Sequence, residues 1–161
     1  MKNKYLITLV ILSVLCSSCY SFKIYPKEYR KLKNEYTRPN AYVINDTLKE
    51  ELKILKFSEL FNIVNDSSSA ELKIKLYPLE QTLVCGQPFI ISMLTLGQLP
   101  VYLHDMYLYK FDEIEKGMAT QRELDLKIAQ RVWFWDLFVF NKRFEENAGN
   151  AVLGEYQQNS K

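Results

Sequence analysis

His104 is the only histidine in the chain, so neither a two-histidine metal site nor a His-Glu-x-x-His helix can be assembled. His104-Asp105 supplies one corner of a Ser/His/Asp arrangement, but no serine stands in a Gly-x-Ser-x-Gly elbow. A strand histidine bonded to a neighbour is the commoner use of such a residue. Neither a Gly-x-Gly-x-x-Gly loop nor a Walker loop is present to cradle nucleotide phosphates. This inventory predicts no catalytic residue, no metal, no cofactor and no enzymatic role. Of the three cysteines, Cys85 lies in Cys85-Gly86-Gln87-Pro88 with no basic neighbour to activate it, and is expected as a small buried hydrophobe. Cys16-Ser17-Ser18-Cys19 has C-x-x-C spacing, but it follows an apolar run instead of a strand in a βαβ unit, which excludes the redox reading.

Two apolar segments are the more informative groups. Gln81 to Leu103 carries no charge over 23 positions and contains Phe89, Ile90, Ile91, Met93 and Leu94. Pro88, Gly97 and Pro100 leave no uninterrupted helix of the roughly 20 residues that a membrane span needs. A buried strand or covered connection is expected, or an exposed loop that meets lipid or a partner. Val132 to Phe140 holds both tryptophans and three of the nine phenylalanines, including Trp133, Phe134, Trp135 and Phe138. Core packing accounts for most aromatic clusters, yet indole rings also suit the membrane–water boundary. Asp136 within this segment would be costly in lipid.

The N-terminus says where the chain is going. Met1 to Lys4 carries two lysines and no acid, and Tyr5 to Leu15 is an eleven-residue apolar run, which are the n-region and h-region of a signal peptide. As a helix that run reaches about 17 Å, short of the ~30 Å hydrocarbon core, while the uncharged stretch runs on to Phe22 and leaves an uncleaved anchor as the alternative. Leu15-Cys16-Ser17-Ser18-Cys19 follows, and residues 1 to 19 resemble a bacterial lipoprotein signal ending in a lipobox. That resemblance implies that the Cys19 thiol receives a diacylglycerol and that the peptide is cut before Cys19. Ser17 and Ser18 match the small residues preceding the acceptor, whereas Cys16 stands where an aliphatic residue is usual. Two or three acyl chains, palmitate among them, would hold the mature chain firmly on the membrane. Tyr20, where an aspartate would favour inner-membrane retention, is compatible with the outer membrane.

Charge argues against nucleic acid as a partner. The chain has 21 basic and 19 acidic residues, and from Cys19 onward the two numbers are equal. Without a basic excess the mature chain lacks the footprint that phosphate neutralisation requires.

The elements that must position these groups are read from periodicity. Residues 19–40, bracketed by Pro26 and Pro39, are expected as a lipid-anchored tether with an irregular or short helical lead-in. Ala41 to Asn45 suits a strand, and Thr47-Leu48-Lys49-Glu50 matches a capping box that opens a helix with Leu48, Leu52 and Leu55 on its apolar stripe. Phe61 to Val64 reads as a strand, Asn65 to Ser69 as a polar turn, and Leu72, Ile74 and Leu76 alternate with charged residues. Val101 to Phe111, a turn at Asp112 to Gly117, and the alternation of Leu124, Leu126 and Ile128 predict a long antiparallel hairpin. Phe144, Ala148, Val152 and Tyr156 predict a C-terminal amphipathic helix that Gly149 and Gly154 weaken.

The predicted fold is therefore α+β, an antiparallel sheet with one or two packed helices, as a single domain over 41–161 behind a cleaved signal peptide at 1–18. This order resembles that of small α+β envelope lipoproteins. The function expected is a non-enzymatic binding or assembly accessory at the membrane, with an envelope membrane protein as partner. The rival is a carrier for a lipid or another hydrophobic ligand.

Overall fold

The computed structural model describes residues 20–34, 37–83, 94, 98–133, 136 and 143–159. The chain is α+β. Seven strands among these residues form one open sheet: β1 (Tyr20–Tyr25), β2 (Asn40–Val43), β3 (Asn62–Val64), β4 (Leu72–Leu76), β5 (Glu80–Leu83), β6 (Val101–Glu115) and β7 (Met118–Val132). The helices are α1 (Lys49–Ser58) and α2 (Phe144–Asn159), with a short 3-10 helix at Lys27–Lys31. Strand order is β1-β7-β6-β4-β2-β3, and β5 pairs with β6 as well.

The long hairpin of β6 and β7 is the spine of the sheet. The strands run in register from Val101↔Val132 to Glu115↔Met118, and Lys116 and Gly117 alone make the turn. Both have positive φ, 50° and 84°, as a two-residue turn matched to the strand twist requires. The connection is tighter than the Asp112 to Gly117 turn expected from composition, because Asp112 to Glu115 stay in the ladder with Met118 to Gln121.

Alternation along each strand selects the face that the helices cover. Leu124, Leu126 and Ile128 on β7, Tyr109 and Phe111 on β6, and Ile74 and Leu76 on β4 are all buried beneath α1 and α2. From α1 come Ile54 and Leu55, with Leu48 and Leu52 at the margin of the core. From α2 come Ala148, Ala151 and Val152. The two glycines of α2 sit where neighbouring elements come closest. A Cβ on Gly149 would stand 2.6 Å from the Phe57 backbone carbonyl carbon, and one on Gly154 would strike the Tyr29 ring. Their cost in helix propensity is thus offset by packing that no larger residue permits.

Three expectations are corrected. Tyr20–Tyr25 is a strand paired antiparallel with β7, so no tether separates Cys19 from the sheet and the domain extends to Tyr20; only the short helical lead-in at Lys27–Lys31 matches the reading of that stretch. Phe22 and Ile24 drive this pairing by contributing to the core between polar neighbours. The capping box does not form: Leu48 occupies the N-cap with no side-chain hydrogen bond, because the Lys49 amide turns back to the Thr47 carbonyl at 3.0 Å. The sheet is also not wholly antiparallel. β2 is parallel to both β3 and β4, since α1 crosses over between β2 and β3.

Candidate functional site

The strand ends nearest Cys19 converge. Tyr20 pairs with Val132 and Val132 with Val101, so the starts of β1 and β6 and the end of β7 lie in one row. Both apolar segments are joined to this end of the sheet: residues 84–100 lead into β6, and residues 133–143 leave β7. Strand pairing thus brings together Tyr20, Val101 and Val132, which lie far apart in the sequence.

A polar pin holds this corner on the sheet face away from the helices. The Asp136 carboxylate is buried and accepts hydrogen bonds from Ser21 Oγ at 3.0 Å and Arg131 Nε at 3.0 Å, while Arg131 Nη2 reaches its other oxygen. Burial opposes the charge on Arg131, but the hydrogen bonds and charge of Asp136, with a hydrogen bond involving Tyr102, outweigh it and hold the guanidinium pKa above its ordinary value. The Arg131 guanidinium also stands 4.9 Å from the centroid of the Trp133 ring, whose Nε1 donates to the Gln98 carbonyl at 3.0 Å. Asp136 is thus the counter-ion of Arg131, which resolves the cost of an acid in an aromatic run.

From this pin the face away from the helices continues as three rows across β1, β7 and β6. They are Ser21, Arg131 and Tyr102; Lys23, Ala129 and His104; and Tyr25, Lys127 and Met106. None of the nine is acidic. The small Ala129 is fully buried, and the rings of Tyr25 and His104 approach to 5.7 Å. Tyr102 lies 6.5 Å from His104 on the other side. Lys23 is held below its ordinary pKa first by burial and then by Arg131 and Arg30, a sign of how basic this corner is. Tyr102 and Met106 are 37% and 42% exposed, large for apolar side chains on a sheet face.

His104 therefore stands in an aromatic row. Asp105 points to the opposite face, where its carboxylate accepts from Gln81 at 3.3 Å, so these sequence neighbours do not converge. Among the described residues no group of three or more His, Cys, Asp or Glu could hold a metal ion. Two cavities bear on a small-molecule reading. One of about 240 Å³ is lined by Pro39, Leu60, Phe61 and Tyr156, below the usual range for ligand pockets. The other, about 480 Å³, is largely polar and lies under Glu50, Glu51, Tyr107 and Phe144.

Of the residues singled out in the sequence, Trp133 lies in the corner and Leu94 is 80% exposed. Cys19, Cys85, Phe89, Ile90, Ile91, Met93, Phe134, Trp135 and Phe138 lie outside the described residues. Ser21, Lys23, Lys127 and Arg131 are not among the sequence candidates, because a tether over residues 19–40 leaves no strand to pair with β7. The alternation of Phe22 and Ile24 with polar neighbours was the available signal.

Among the described residues no helix is long and apolar enough to cross a membrane. Compared with known proteins, the chain matches no family model and no curated protein sequence.

Proposed function

We propose that this is a lipid-anchored cell-envelope lipoprotein that acts as a non-enzymatic binding or assembly accessory at the membrane, held through acylated Cys19 and facing an envelope membrane protein. The supporting observation is the absence of a spacer. β1 starts at Tyr20, the residue after Cys19, and its register sets Tyr20 beside Val132, where the aromatic segment leaves β7, with Val101, where the uncharged segment enters β6, on the other side of Val132. An anchor attached this closely orients the domain, where a long tether would merely retain it. A signal-peptide origin for residues 1–18 and an outer-membrane address fit the same reading.

The test is mass spectrometry of everything that co-purifies with the tagged protein extracted from its native membrane in mild detergent. One or two envelope proteins recovered in fixed ratio are expected. Recovery of a discrete lipid, with no protein in fixed ratio, would overturn the accessory role in favour of a carrier.

A further inference from the structure

Lipidation at one residue fixes a point, and a rigid domain needs a second contact to be fixed in direction. The candidates for that contact are the faces nearest the anchor. On the helix-covered side, the sheet near β1 opens onto the exposed Glu50, which an anionic lipid surface would repel. On the bare side lie the three rows described above, with Lys23, Lys127 and Arg131 and no acid among nine positions. Arg30 stands close by, donating to the Ile24 carbonyl. Tyr25, His104, Tyr102 and Trp133 supply the rings that favour a membrane–water boundary. Asp136, which pairs with Arg131, is buried and neutralised by it. Farther from the anchor the character of this face changes: Asp125, Glu123, Asp112 and Glu80 follow on β7, β6 and β5.

We infer that the acid-free face of β1, β7 and β6 beside Cys19 is a contact surface for anionic lipid headgroups, with Lys23 and Lys127 meeting phosphate and Tyr25, Tyr102 and Trp133 in the headgroup layer. The inference rests on Cys19 being the anchor, because chain continuity is what brings this face to the bilayer. The occupant is lipid and not a second protein because the patch adjoins the acylated residue directly and combines basic with aromatic side chains. The helix-covered side is then turned toward the aqueous compartment, free for a partner.

The test is lysine footprinting of the acylated, full mature protein in vesicles of phosphatidylcholine with and without phosphatidylglycerol. Amine acylation is read at each lysine by mass spectrometry, and the intact mass reports Cys19 acylation separately. Lys23 and Lys127 should each label about fivefold more slowly with phosphatidylglycerol than in detergent. Lys73 and Lys75, on β4 farther from the anchor, should not change. High salt should restore the labelling. Lys23→Glu with Lys127→Glu should abolish the phosphatidylglycerol dependence of labelling at Lys27, while Lys73→Glu with Lys75→Glu should keep it. Circular dichroism verifies that both pairs fold.

Equal labelling of Lys23 and Lys127 in vesicles and detergent, on protein whose mass shows acylation, would overturn the inference and leave the anchor standing. Unacylated protein would remove the anchor reading, and the inference with it. Protection seen only when a co-purified protein is bound would overturn the lipid assignment and make this face a protein interface.

Discussion

The two faces of the β6–β7 hairpin are made by the same strands and held in opposite ways. On the covered face, Tyr109, Phe111, Leu124, Leu126 and Ile128 are buried under two helices, and small residues set how closely those helices approach. On the face away from the helices the alternate positions carry Tyr102, His104, Met106, Lys127 and Arg131, fastened near the start of β1 by one buried carboxylate. Cohesion on the first side comes from apolar area and fit, which respond to volume. Cohesion on the second comes from charge pairing, which responds to removal of one partner. The two faces thus rest on different forces, so each can be altered while the other is watched.

Substitutions should separate the faces by size of effect. Phe111→Ala, on the covered face, should destabilise the fold by about 3–5 kcal/mol in urea denaturation, because a fully buried ring contacting Phe61 and Tyr109 is lost. A cost under about 1 kcal/mol would mean that the core is not closed there.

Asp136→Ala, on the bare face, should cost about 3 kcal/mol, since it leaves Arg131 and Ser21 without their shared acceptor. Arg131→Met with Asp136→Leu should recover much of that loss. If the double variant is no better than the single, the two residues are not acting as a pair.

Gly154→Ala should cost about 1–3 kcal/mol, because the new methyl meets a ring whose hydroxyl is held by Gln158 and Glu155. The helix gains propensity from the same change, so a stabilised protein would show that Tyr29 moves freely.

The smallest effect concerns alkaline pH. Burial, with Asp105 and Glu50 nearby, raises Tyr107 to about 12, and burial with Glu113 raises Tyr156 to about 12. Unfolded tyrosines titrate near 10, so the folded chain keeps these protons longer. Stability from the neutral phenols is fully present below about pH 10 and is lost as pH rises through about 12. The urea midpoint should therefore fall over that window, and Tyr107→Phe with Tyr156→Phe should flatten the fall. An unchanged slope in the double variant would place the alkaline loss elsewhere.

Much of the covered face was legible in the sequence because burial leaves a periodic trace. Leu72, Ile74 and Leu76, and Leu124, Leu126 and Ile128, gave strands β4 and β7 and their inward sides. The four-residue steps of Phe144, Ala148, Val152 and Tyr156 gave α2. What was not legible depends on partners distant along the chain. Glu51 is buried because its Oε1 accepts the Leu79 amide at 2.9 Å and its carbonyl accepts from Tyr109, and nothing local marks it. Asn45, which exchanges hydrogen bonds with the Leu76 backbone at 2.8 Å in both directions, read only as the end of a short strand. β1 was hidden because a six-residue strand rich in Lys, Ser and Tyr looks polar until its partner is known. The corner around Arg131 was half-visible. Trp133 stood out by type, but the pairing that sets it beside Ser21 and Asp136 spans more than 100 residues.

The most direct measurement is the mass of the N-terminal peptide of the protein isolated from its native membrane. A chain that begins at Cys19, runs on into Tyr20, and carries a diacylglyceryl thioether on Cys19 is the expected result, with Cys19→Ser lost from the detergent phase and Cys16→Ser retained. A peptide that retains Met1, with Cys19 unmodified, would contradict the account.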